Sequence, residues 1–145
     1  VKMTTSYDTE PSAELLATLW HEEMLWYGPS GIGSTYTIAR YREQHQIPFR
    51  DGLRDLVFNG HVCNFAEGNY AAWFGWPNLT GKPVGGFLGL PGSDARADLR
   101  VVDVYRREGD RLAENWVLID LLYWLKQQGV DVLARTAELS RLPAS

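Results

Sequence analysis

Leu15, Leu16, Leu19 and Trp20 recur at helical spacing, and Ser12 stands ahead of them as a capping residue behind Pro11. The spacing predicts a short amphipathic helix from Ser12 to about His21. Val1 to Glu10, before it, is polar and reads as loose chain. Met24 to Tyr27 reads as a brief strand, and Gly28-Pro29-Ser30-Gly31-Ile32-Gly33 as a turn-rich loop. A second helix is predicted over about Tyr36 to Gln46, with Ile38, Tyr41 and His45 along one side and Pro48 as its stop.

From Asp51 the period changes from helical to strand-like. Leu53 to Phe65 reads as a strand broken at Gly60, and Tyr70 to Trp76 as its return across the Glu67-Gly68-Asn69 turn. Pro77 to Gly81 reads as a loop and Val84 to Leu88 as a short strand. Leu99 to Arg107 and Arg111 to Ile119 form a hairpin about Glu108-Gly109-Asp110. Leu121 to Gln128 is helical, with Gly129 as its stop, and Val130 to Leu142 is a last helix or a docked tail. Helices followed by a meander of hairpins predict an α+β domain, a curved antiparallel sheet packed against N-terminal helices with a C-terminal helix. Residues 1–145 read as a single domain.

Composition narrows the function classes. The net charge of −4 and the lack of a Lys/Arg cluster argue against a nucleic-acid partner. No apolar run reaches the length of a membrane span, and nothing resembles an export signal, so the expected location is cytoplasmic, away from a membrane. The single cysteine, Cys63, excludes an intrachain disulfide and reads as an inert buried thiol. Three scattered histidines give no metal-ligand spacing, so no metal is expected. Aromatic content is the exception at 12%, with six Trp. Such residues fill cores or line apolar pockets.

Strand alternation sorts the chemistry-bearing side chains. Leu99, Val101, Asp103 and Tyr105 share one face of their strand. On the next strand Glu114, Trp116, Leu118 and Asp120 fall together, opposite Asn115, Val117 and Ile119. Each strand thus carries a carboxylate among apolar neighbours, where burial raises an Asp pKa and suits acid/base work. Asp120 also stands where an N-cap belongs, ahead of the helix. An ion pair with a neighbouring Arg is the corresponding structural role for Asp103.

The segment Val101-Val102-Asp103-Val104-Tyr105-Arg106, the acidic-Gly turn, Glu114-Asn115-Trp116 and then Asp120 resembles the signature of the SnoaL-like polyketide cyclases. Leu121 to Gly129 looks like their closing helix. Trp26-Tyr27-Gly28-Pro29 resembles their first strand, and Phe87-Leu88-Gly89 their aliphatic-Gly turn. The resemblance runs over roughly residues 15 to 130. It implies the nuclear-transport-factor-2-like cone, an apolar pocket closed by the N-terminal helices, a homodimer, and chemistry without a cofactor. It implies that Asp120 removes a proton next to a carbonyl, and that Asp103 donates a hydrogen bond to the developing enolate oxygen as a protonated acid. Where the cyclases carry His-Thr-Gly, this chain has Pro83-Val84-Gly85, and the base of the related ketosteroid isomerases falls near Gly28.

His61 is a candidate substitute for the absent histidine. Trp116, Tyr105, Trp73, Trp76, Trp26 and Leu118 are the candidates to hold a flat, apolar, carbonyl-bearing ligand, with a bend needed between Trp73 and Trp76. Two readings stay open: a cyclase-like or isomerase-like enzyme acting next to a carbonyl, and a non-catalytic binding protein of the same fold.

Overall fold

The computed structural model describes residues 11–141. The readings made for Val1 to Glu10 and for Leu142 lie outside them. Helix α1 (Ala13–Leu19) starts at Ser12, whose side chain accepts from the Leu15 amide. It ends directly in strand β1 (Trp20–Tyr27), longer than the sequence suggested because Trp20 and Met24 are strand residues buried under the helix. Strand β2 (Ser34–Tyr36) pairs with the end of β1.

The single helix expected over Tyr36 to Gln46 is three joined pieces. These are α2 (Ile38–Tyr41), a π-helical turn over Arg42–Gln46, and α3 (Ile47–Gly52). Pro48 does not stop the helix. It falls in the first turn of α3, where the missing N–H is least costly.

Strands β3 (Leu53–Phe58) and β4 (Cys63–Glu67) pair in succession along one edge of β5 (Tyr70–Pro83). Strand β5 pairs β6 (Ala97–Glu108), and β6 pairs β7 (Arg111–Ile119). The sheet order is β2-β1-β7-β6-β5-β3, with β4 also on β5. All pairings are antiparallel except β1 with β7, which is parallel. The purely antiparallel sheet of the expectation is therefore mixed.

Strand β5 also runs through Pro77 to Gly81, which the sequence suggested as a loop. Across the register shift between Gly75 and Leu79, the Asn78 side chain does the pairing. Its Oδ1 accepts from Val101 N at 3.1 Å and its Nδ2 donates to Val101 O at 3.4 Å. Gly75 is required there, because a Cβ at that position would overlap Asn78. Val84 to Leu88 is not a strand: a 3₁₀ turn occupies Phe87–Gly89.

Helix α4 (Leu121–Gln127) seats Trp124 against Phe87 at 5.5 Å, and the Gln127 amide bonds both the N–H and the C=O of Asp98. Helix α5 (Val132–Leu139) follows.

The core has two parts. Leu53, Leu79, Ala97, Leu99 and Trp124 close one end of the sheet's inner face. Leu16, Trp20, Met24, Trp26 and Ile38 close the other. The inner face between them is not filled. Among the described residues no helix is long and apolar enough to cross a membrane. Cys63 is exposed at the start of β4 rather than buried.

Candidate active site

Two adjoining chambers lie on the inner face of the sheet, with volumes of about 170 Å³ and 480 Å³. Both are lined by His61, Asp103 and Tyr105. The smaller runs under the start of α1 and the π-helical turn. The larger opens between β3, β4 and β5, where Phe58, Asn64 and Trp73 form its wall.

The strand register explains why Asp103 is central. Trp73, Asp103 and Val117 face one another across β5, β6 and β7, and Ala71, Tyr105 and Asn115 form the next row. Trp26, paired with Asn115 across the parallel β1–β7 ladder, completes the inner wall at 1% exposure.

Burial pushes the Asp103 carboxyl up to about 6, against two weaker effects. Asn115 Nδ2 and the Tyr105 hydroxyl each donate to Asp103 Oδ1 at 3.4 Å, which favours the ionised form. The result is a carboxyl that titrates near neutrality, as an acid/base group requires. Its interactions are with Asn115 and Tyr105, not the arginine ion pair that was its alternative.

Two imidazoles share this wall. His45, on the π-helical turn, stacks on Trp26 at 3.8 Å and 18°, and burial pulls its pKa down to about 4. His61, between β3 and β4, packs edge-on to Phe58 at 5.1 Å, and burial lowers its pKa as well. Neither Nδ1 has a hydrogen-bond partner among the described residues.

The structure does not bring all the expected residues together. Asp103, His61, Tyr105, Trp73 and Trp26 line the chambers. Asp120 does not. It caps α4, accepting from the Tyr123 amide at 3.0 Å, and its other oxygen meets Arg100 at 3.4 Å. Trp116 lies on the outer face of the sheet, stacked on Tyr27 at 5.6 Å and 6°. Leu118 is 58% exposed, and Trp76 is 53% exposed beside the Arg100 guanidinium at 4.8 Å. The bend needed to bring Trp73 and Trp76 to one wall is not made: pairing stays regular through Gly75, so the two face opposite sides of the sheet.

For Trp116 and Leu118 the cause is one residue. Glu108 pairs Arg111 and Arg107 pairs Leu112, but Arg106 pairs Glu114, so Ala113 is an unpaired bulge. An unbulged hairpin would have set Asp103 opposite Trp116. The bulge sets it opposite Val117 instead, and turns Asn115, Val117 and Ile119 inward.

Asn115, Asn78 and Gln46 also line the inner chamber and were not singled out from the sequence. Strand alternation marked Asn115 as opposite to Trp116, and no sequence signal marks the other two. Among the described residues, no cluster of three His, Cys, Asp or Glu stands ready for a metal ion.

The family model described as SnoaL-like polyketide cyclase matches residues 3–128. A comparison with curated proteins returns no match. Among solved structures, IdmH from Streptomyces antibioticus superposes with a TM-score of 0.67 at 16% identity, covering 88% of this chain and 96% of that one. TsrD from Streptomyces laurentii gives 0.68 at 24% identity, covering 88% and 89%. A SnoaL-like protein from Shewanella denitrificans gives 0.70 at 18% identity, covering 89% and 90%. At these identities the likeness establishes the fold.

Proposed function

We propose a function from one premise: the chain belongs to the SnoaL-like polyketide cyclase family. It acts as a cyclase-like or isomerase-like enzyme, moving a proton on the carbon next to a carbonyl of an apolar cyclic substrate. The observation that carries this reading is Asp103, a carboxyl with a pKa near 6 set between both chambers. Above that pH it is ionised and takes the proton; the carboxylic acid so formed returns it. The carbon–hydrogen bond breaks as the enolate forms, and the negative charge collects on the carbonyl oxygen. His61, neutral near pH 7 and lining the same chambers, is placed to donate an N–H to that oxygen. Trp73 and Trp26 supply flat apolar walls, and Tyr105 and Asn115 hold the Asp103 carboxylate in place.

Hydrogen–deuterium exchange next to the carbonyl of 2-tetralone, followed by proton NMR, tests the reading without knowledge of the natural substrate. Exchange catalysed by the protein should rise with pH through about 6 and then level. Asp103→Asn should lower it by roughly 10²–10⁴-fold, while Asp120→Asn should leave it within about twofold, because Asn remains a good N-cap. Absence of exchange in the unmodified protein sinks the enzymatic reading.

The alternative, a binding protein without chemistry, has one observation in its favour. Asp120, the carboxylate to which the resemblance assigns proton removal, is spent on capping α4. Ligand binding without exchange would select it.

A homodimer is part of the same proposal. The outer face of the sheet presents Tyr70, Trp76 and Leu118 beside the Tyr27–Trp116 stack. Two ion pairs on it are made within the chain, Arg100 with Asp120 and Arg106 with Glu114. An apolar face that carries such pairs suits a second copy of itself.

A further inference from the structure

The inner chamber carries polar groups that proton transfer at Asp103 does not use. His45 and Gln46 are adjacent on the π-helical turn, and both line this chamber. Gln46 is 8% exposed, and its Oε1 has no hydrogen-bond partner among the described residues; the same is true of His45 Nδ1. Buried polar atoms without partners are costly and uncommon, so a pair of them on one turn needs an explanation. The other amides of the chamber are engaged. Asn115 donates to Val104 O at 3.2 Å and to Asp103, and Asn78 is spent on Val101. Turns of π-helix inside α-helices often occur at functional sites, because the widened turn re-aims its side chains.

We propose that His45 and Gln46 form a recognition subsite for a ring hydroxyl of the ligand in this chamber. A hydroxyl both donates and accepts, so it donates its proton to the Gln46 oxygen and accepts from His45 in the tautomer that carries its proton on Nδ1. A cation finds no carboxylate beside His45 and Gln46 in the chamber, since Glu43, on the same turn, is exposed, lies outside the lining and pairs with Arg40 at 2.8 Å. An anion would face the Gln46 oxygen. Trp26 stacks flat on His45 and fixes the imidazole, while Tyr41 and Phe49 flank it at 5.4 Å and 5.7 Å. Such walls suit a planar ring. The substrate class is then a flat cyclic ketone carrying a phenolic or alcoholic hydroxyl. This rests on the reading above only for where the ketone sits. Arg50 also lines the chamber, so a carboxylate on the ring is the competing group to test.

Calorimetric titration with 1-tetralone, 6-hydroxy-1-tetralone and 6-carboxy-1-tetralone decides it. The hydroxylated ketone should bind about tenfold tighter than the parent or better, because a site built to bond a hydroxyl penalises its absence. That preference should fall to about twofold or less in Gln46→Leu and shrink in His45→Phe, two independent variants that replace polar atoms by apolar ones of similar size. Equal binding of the first two ketones, absence of binding by the hydroxylated one, tighter binding of the carboxylate, or a preference that survives both substitutions overturns the subsite. Asp103→Asn separates the two proposals: it should lower exchange by roughly 10²–10⁴-fold and keep the hydroxyl preference. A hydroxyl preference in a protein that exchanges no protons would leave the subsite standing and remove the enzyme.

Discussion

Asp103 is costly to keep. Its carboxyl has an ordinary pKa of 3.8 and is held at about 6 in the fold, chiefly by burial. Below pH 3.8 the folded and unfolded chains are both protonated there. Between 3.8 and 6 the unfolded chain ionises first, so native stability falls as pH rises, and above 6 the loss is constant. A shift of this size corresponds to up to about 3 kcal/mol. Asp103→Asn should therefore stabilise the protein at pH 8 by about 1–3 kcal/mol and have little effect near pH 3.5, as read by urea unfolding at the two pH values. Equal stability of the two proteins at pH 8 would show that the carboxylate is fully compensated. Asp120 gives the opposite signature. Asp120→Ala removes the cap on the Tyr123 amide and should cost about 1 kcal/mol at neutral pH, with proton exchange retained. Residue types alone marked both aspartates, and the capping role of Asp120 was legible because Asp precedes an apolar helical run. What the residue types could not rank was which of the two reached the cavity.

That ranking belongs to the elements. Strand alternation was legible for β6 and β7, and so was the turn between them. The bulge at Ala113 was not, because alanine carries none of the backbone freedom that would mark a bulge at Gly. Every side chain of β7 beyond it changes face, which is why Trp116 and Leu118 lie outside. Deleting Ala113 should remove the bulge and leave Asp103 opposite Val117 and Trp116 opposite Val104, because Leu112 and Glu114 already face the consecutive residues Arg107 and Arg106. The deletion variant should therefore fold and bind a cyclic ketone as the unmodified protein does, read by calorimetric titration. A folded deletion variant that has lost ligand binding would show that the register beyond Ala113 had slipped. The second helix illustrates the same limit. Its apolar spacing was legible, but the π-helical turn leaves no mark on hydrophobic periodicity, and Pro48 marks a helix start as readily as an end. In β5, Pro77 and the polar Asn78 suggested a loop. The strand continues because an amide side chain pairs in place of the backbone.

At the scale of the molecule, the sheet has two unlike faces. The inner one is covered by α1, the π-helical turn and α4 and encloses the chambers. The outer one carries exposed Tyr70, Trp76 and Leu118. If that face pairs two copies, Leu118→Glu should shift sedimentation velocity from dimer to monomer without changing affinity for a cyclic ketone, since Leu118 touches neither chamber. A monomeric unmodified protein would end the homodimer proposal. The α+β class and the packing of the N-terminal helices on the sheet were legible because both follow from element order; the parallel β1–β7 pairing was not, because no local pattern specifies a partner so distant in the chain. That pairing also sets a timetable. During synthesis Trp20, Met24 and Trp26 emerge long before Asn115, the residue that Trp26 lies beside in the finished sheet. Until β7 leaves the ribosome the N-terminal segment has no sheet to close on. Its apolar side chains must wait exposed or be sheltered by a chaperone, and the cavity is the last part of the molecule to exist.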